Sequence, residues 1–336
     1  MTSSDVEVAG WAHAGDQAVR VRAADNLLYE DVPDPEPAGG QARVAVEAAG
    51  VHLIDTKIRQ GGSWGPSPDL PMTPGREIAG KVEALGAGVA KAWLGKRVVG
   101  HLGMASGGYA EKAVIAAASL HEIPEHVSAA AAVASIGTGR TTLVALDLAA
   151  VTDADVVLVT AAAGGIGNLL VQLAGRRGAT VIGLAGGADK VARVRQLGAD
   201  VALDYSEPDW PDRVRAARGG RAATLVMDGV GGAPLDLAAG LLRRGGRVVS
   251  FGWASGQPST LGEDDLAERG IRQLWVVGPK APPMDDMREL ETRALGYTAD
   301  GTWVPLLNPP YRLAEAAAAH TALENRATVG KVVLVP

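Results

Sequence analysis

The 336-residue chain carries 32 Lys and Arg against 38 Asp and Glu, a formal charge of −6, and 47% of it is hydrophobic. That length allows two domains and a sizeable core, while the acidic balance argues against nucleic acid or an anionic membrane as the main partner. The complete absence of cysteine excludes disulfides, thiolate-held zinc, iron–sulfur clusters and a cysteine nucleophile. No run approaches the roughly 20 apolar residues of a membrane span. Residues 1–10 lack a basic, apolar secretion signal, so a cytoplasmic location is the expectation.

In chain order, short β-rich segments at 43–46, 78–82 and 97–99 alternate with Gly and Pro, which predicts a mostly antiparallel, barrel-like first domain. From 123 to 278 the pattern becomes strand–helix repeats. Strands are expected at 156–159, 180–184, 224–227, 247–251 and 274–277, with helical spacing between them. Such βα units predict an α/β fold with a doubly wound parallel sheet. After the prolines at 279, 282 and 283 come helical segments, including 313–323, and a terminal strand at 332–335.

The chemistry concentrates at 155–204. An apolar strand, Val156–Val159, runs into Ala161, Ala162, Ala163, Gly164, Gly165, Ile166 and Gly167, and then into a helix with Leu169, Leu170, Leu173 and Ala174 on one face. Strand, glycine turn and helix in that order bring backbone amides and a helix N-terminus to a pyrophosphate. Gly164 gives the close approach, and Gly167 lets helix and strand pack tightly. Ala162 replaces the first glycine of the usual Gly-x-Gly-x-x-Gly pattern. The next strand ends at Ala185, followed by Gly186 and Gly187, where an NAD site usually has Asp or Glu on the ribose 2′-hydroxyl. Lys190, Arg193 and Arg195 follow, either neutralising a 2′-phosphate or coating a solvated helix face. The missing carboxylate favours NADPH.

Eight landmarks stand in order: AGVHLIDTKIRQG (49–61), PGREIAG (74–80), GGYAE (107–111), AAAGGIG (161–167), LGAD (197–200), DGVGG (228–232), SFG (250–252) and ATVGKVVLVP (327–336). With them the chain resembles the medium-chain dehydrogenase/reductase superfamily, and within it the zinc-free, zeta-crystallin-like quinone oxidoreductases. The resemblance implies a GroES-like domain of residues 1–122 and 279–336, a Rossmann NADPH-binding domain of residues 123–278, and an active cleft between them. It also implies a homodimer joined through an edge strand of the nucleotide-binding domain, for which 274–277 is apolar enough.

Zinc-dependent relatives hold catalytic metal where this chain has His52, Arg76 and a non-ligand near Gly137 and Thr138. A guanidinium cannot replace a neutral imidazole, so no metal site is expected. Without a Lewis acid the expected acceptors are quinones or α,β-unsaturated carbonyls, whose π-system carries charge to oxygen. The resemblance places Gly164, Gly165 and Ile166 at the pyrophosphate. It places Gly186, Lys190 and Tyr205 at the 2′-phosphate end, Tyr205 fitting strand-end packing equally well. Val230, Phe251, Gly252, Trp253, Val276 and Val277 would line the nicotinamide side, although Phe251 and Val276 also suit a core. Thr141 is a carboxamide or ribose candidate and Lys331 a cofactor contact.

His52, Lys57 and Asp55 are the catalytic candidates. His52 and Lys57 depart from the family pattern and serve equally as substrate contacts or as a structural histidine and a surface lysine. Asp55 suits a loop-holding role, and Trp64 is a candidate cap on the acceptor. Two further readings stay open: a pathway-specific enoyl reductase in polyketide or natural-product tailoring, and a non-catalytic NADPH-binding structural or regulatory protein.

Overall fold

The computed structural model describes residues 15–23, 25–61, 69–103, 105–217, 221–282 and 286–336. Six strands lie side by side in the order Val201–Asp204, Thr180–Ala185, Val156–Val159, Ala223–Asp228, Leu242–Ser250 and Arg272–Trp275, every pair parallel. Val156–Val159 and Ala223–Asp228 are buried at every position, as strands sheltered on both faces must be. The chain order reverses between these two strands. Their carboxyl ends therefore open a crevice at the topological switch point, where open α/β sheets bind ligands. Inside it Thr160 donates to Asp228 Oδ1 at 2.7 Å, and the backbone amide of Gly231 donates to Asp228 Oδ2 at 2.9 Å, which fixes both strand ends.

The other sheet centres on Gln41–Val51. This strand pairs antiparallel with Glu77–Leu85 along one edge. Along the other it pairs with Lys112–Ala116 through its first half and Val332–Val335 through its second. Register breaks at 43/44 and 46/48 let one strand serve three partners, because bulges sharpen its coil. The last strand of the chain thus completes the first domain, in the GroES-like arrangement.

One element escaped the sequence reading. Ala129–Ala149 is a single 21-residue helix, started by Ser128, whose hydroxyl accepts from the Ala131 amide at 3.2 Å. By length and hydropathy it could cross a bilayer, contrary to the expectation that no segment approaches that size. It is instead a core helix, with 67% of its most apolar window buried. Leu143, Leu146 and Ala149 pack into the nucleotide-domain core, while Val133 and Ile136 pack beside Ala79, Val99 and Val333 of the other sheet. The helix Met287–Ala299 lies against it. Ala294 joins the first of those cores and Leu295 the second, so the segment after 279 serves both. The edge strand spans Arg272–Trp275 rather than 274–277. Val276 continues beyond it into the core, fully buried, with its amide still donating to Ser250 O at 2.9 Å.

Candidate active site

The glycine turn shows why its residues are small. Gly164 caps the helix Gly165–Arg176, and its amide donates to the Ala161 carbonyl at 2.8 Å. A Cβ on Gly167 would stand 2.2 Å from that carbonyl oxygen, so only glycine lets the helix start against the strand. Ala162 is fully buried and its amide donates to Leu184 O at 3.0 Å, so the departure from the glycine pattern falls on a packed position. The chain's end meets this turn. The Gly330 amide donates to Ala163 O at 2.7 Å, and a Cβ there would fall 2.0 Å from Leu306 O. Gly330 has φ of 68°, and its close fit delivers Lys331 into the cleft.

At one end of the cleft a cavity is lined by Gly186, Lys190, Tyr205, Val230, Arg326 and Thr328, with no acidic side chain among the described residues. Lys190 Nζ donates to the Arg326 carbonyl at 2.5 Å, and the Arg326 guanidinium donates to Ala254 O at 3.2 Å. Burial, reinforced by Arg326, lowers the Lys190 ammonium from its ordinary value, and burial raises Tyr205. A bound phosphate would relieve both cations. Asp204, the nearest acid on the neighbouring strand, is drawn onto the Gly187 amide at 2.9 Å and lines neither cavity. Arg326 escaped the sequence reading because it belongs to no nucleotide motif; its only signal is its place just before ATVGK. Arg193 bonds Gln196 and Arg195 bonds Ala202 O, both off this cavity.

The other end is lined by His52, Gly137, Thr141, Phe251, Trp253 and Lys331, beside Gly164, Gly165, Ile166 and Gly252. Trp253 stacks on Trp275 with centroids 5.8 Å apart. Val230 lies at the adenosine end rather than here. Val276 and Val277 line neither cavity, both packing with the nucleotide-domain core.

A triangle of polar atoms closes the floor. Lys331 Nζ stands 2.8 Å from His52 Nε2 and 2.7 Å from Glu77 Oε2, and His52 Nε2 is 2.7 Å from the same carboxylate oxygen. Glu77 is fully buried. Burial opposes its charge, but His52 and Lys331 outweigh that and hold its carboxyl well below the usual range. Its other oxygen has no hydrogen-bond partner and points where a Cβ on Gly137 would fall, 2.1 Å away. Glu77 was passed over in the sequence because PGREIAG drew attention to Arg76 alone.

Asp55 begins a different network. Its Oδ2 accepts from the His52 amide at 2.8 Å and from Tyr109 OH at 3.0 Å; Tyr109 reaches His320, and His320 reaches Arg59. Burial, with Asp55 adjacent, drives the Tyr109 phenol well above its ordinary value. Asp55 therefore positions His52 from behind. Lys57 donates to Gln60 at 3.2 Å and lines neither cavity. Trp64 lies outside the described residues.

The residues fit a nicotinamide dinucleotide: a helix N-terminus stripped of side chains, cations at the far end and an apolar, polar-floored recess at the near one. They do not fit zinc. Among the described residues no three His, Cys, Asp or Glu side chains converge as ligands, and an ammonium stands between His52 and Glu77.

Comparison with known proteins gives the family. Residues 38–125 match the alcohol dehydrogenase GroES-like domain family and residues 165–291 the zinc-binding dehydrogenase family. The quinone oxidoreductase of Pseudomonas aeruginosa is 33% identical over 315 residues, covering 92% of this chain and 95% of that one. A 2-haloacrylate reductase of a Burkholderia species is 31% identical over 324 residues, covering 93% and 96%. A mycobacterial structure complexed with NADPH superposes with a TM-score of 0.84 at 32% identity, covering 96% and 100%. The chain belongs to the medium-chain dehydrogenase/reductase superfamily, in its quinone oxidoreductase branch. It is accordingly an oxidoreductase of the kind that uses a nicotinamide cofactor on a small molecule.

Proposed function

We propose that this protein is an NADPH-dependent, zinc-independent reductase of quinones or α,β-unsaturated carbonyls. The observation that carries the cofactor choice is the adenosine-end cavity, where Lys190, Arg326 and Tyr205 gather and no acid competes. Bound NADPH supplies a hydride from its nicotinamide ring. Hydride delivered to the conjugated carbon would send negative charge to the acceptor oxygen, where a proton would have to follow.

The chain's own groups serve that charge. Lys331 lines the cleft and carries three N–H donors, of which Glu77 takes one; the ammonium is the donor we assign to the acceptor oxygen, with His52 beside it. Glu77 keeps the ammonium in place, and Asp55 fixes the His52 backbone. A fixed donor beside developing charge acts as an oxyanion site. Phe251, Trp253 and Ile166 give the ring an apolar wall and exclude water. We also propose that two copies pair through the edge strand Arg272–Trp275, and that the protein acts in the cytoplasm.

The test is NADPH oxidation by purified protein with a simple quinone and a simple enone, with and without a chelator. Turnover that survives chelation and prefers NADPH over NADH supports the reading. Activity abolished by chelation and restored by zinc would overturn it. Turnover confined to bulky enoyl thioesters would instead favour a pathway-specific enoyl reductase.

A further inference from the structure

We propose that the acceptor carries an anionic group, a carboxylate or a phosphate, which Arg76, Arg140 and Arg288 hold in a second cavity adjoining the cofactor cleft. The proposal rests on the reductase reading and adds the substrate class. The cavity holds about 470 Å³ and is lined by those three guanidinium groups together with His101, Ser119 and Glu291. Three fixed cations face one carboxylate, and that carboxylate is already engaged. Arg140 reaches Glu291 Oε1 at 2.5 Å, and His121 Nε2 stands 3.1 Å from its other oxygen.

Among the described residues, neither remaining cation has an acid closer than 3.9 Å. Arg288 donates to the carbonyls of Ala118 and Leu120, which are neutral. The Arg76 side chain is only 19% exposed, its Nε is buried without a hydrogen-bond partner, and its nearest acid is Asp55 Oδ1 at 3.9 Å. Arg140, 12% exposed, likewise has an unpartnered buried Nε. Two guanidinium groups largely withdrawn from water, each with an unpartnered Nε, and the exposed Arg288 beside them make a site for a planar oxyanion. His101 adds a neutral donor. Burial lowers it from 6.5 to about 4, and its Nδ1 accepts from the Gly103 amide at 2.9 Å, leaving Nε2 to carry the hydrogen.

The cavity is one step from the chemistry. Arg140 sits on the helix Ala129–Ala149 between Gly137 and Thr141, both of which line the cofactor cleft. From Gly137 to Arg140 the helix rises only about 4.5 Å. The Cβ position of Gly137 is 3.1 Å from His101 Cδ2 and 2.1 Å from Glu77 Oε1, so Gly137, His101 and the buried Glu77 form the wall between the two spaces. An acceptor reaching past His101 would present its conjugated carbon in the cleft while its anion rests on Arg76.

The test compares 4-oxo-2-pentenoic acid with its methyl ester, and comparing their ratio between variant and unaltered protein cancels the ester's greater intrinsic reactivity. The acid should show kcat/KM about tenfold or more above the ester, and the acid-to-ester ratio should fall about tenfold in Arg76→Gln. Arg288→Gln should lower the same ratio and serves if the first variant folds poorly. A ratio near one in the unaltered protein, or unchanged in both variants, would overturn the proposal. Calorimetry of acid and ester on the NADP+-loaded protein reads the subsite without turnover. Tight acid binding with no reduction of any acceptor would sink the reductase reading and uphold the anion site; equal binding would sink the site. Inorganic phosphate and acetate as competitors separate a phosphorylated acceptor from a carboxylated one.

Discussion

Replacing Lys331 by Met removes the ammonium that stands 2.7 Å from Glu77 and 2.8 Å from His52. Glu77 is fully exposed to that loss. Its side chain has no contact with solvent, one oxygen already lacks a partner, and only His52 would remain. Removing one member of a buried ion pair typically costs about 3–5 kcal/mol, because the surviving charge keeps its desolvation penalty. The expected loss for Lys331→Met is therefore about 3 kcal/mol, the lower end, since His52 Nε2 still stands 2.7 Å from the same carboxylate oxygen. Glu77→Gln in the same background removes the stranded carboxylate, so the double variant should lie within about 1 kcal/mol of the single Glu77→Gln. Urea denaturation of the four proteins measures the cycle, with the slope of each transition checking that unfolding stays two-state. A single-variant loss below about 1 kcal/mol, or strictly additive losses, would refute the coupled triangle.

Three more expectations concern the cofactor and the acid limit. Lys190→Gln and Arg326→Gln should each weaken NADPH by about 10- to 100-fold, since charge-assisted bonds contribute about 1.5–3 kcal/mol, while NADH changes less than about twofold; equal losses for both coenzymes in calorimetry would count against a 2′-phosphate site. Gly167→Ala should destabilise by about 2–3 kcal/mol, because its methyl would lie 2.2 Å from Ala161 O, whereas Gly165→Ala meets only Thr138 Cγ2 at 3.4 Å and should be milder; thermal melting ranks them. Burial lowers His320 from 6.5 to about 4, with Arg59 adding to the effect against Asp55, so the unfolded chain binds the extra proton. Its contribution is present above pH 6.5 and is lost as pH falls towards 4, roughly 3 kcal/mol in all, and His320→Gln should flatten that slope in a pH series of melting curves.

How much of this was legible in the chain follows from the range of the interactions. The parallel strands, the glycine turn and the cleft cation Lys190 are written locally: an apolar run buries on both faces, and small residues let a helix start against its strand within one strand–turn–helix unit. The same local logic set the edge strand at 274–277, because an apolar run announces burial without showing that the ladder begins at the polar Arg272 and Gln273. Ala129–Ala149 went unread for a related reason, its near-uniform apolarity leaving no face for periodicity to reveal.

What sequence alone determined is the cofactor-binding scaffold, since each of its parts depends on neighbours within a few residues. Only the tertiary structure decided the chemistry. Lys331 reaches His52 across 279 positions and Glu77 across 254, and Arg326 meets Lys190 across 136. Such pairings exist because the last strand returns to the first sheet, and no local pattern encodes which distant charge will arrive. The same closure separated Asp55, which braces His52 from behind, from Lys57, which the fold leaves outside the cleft.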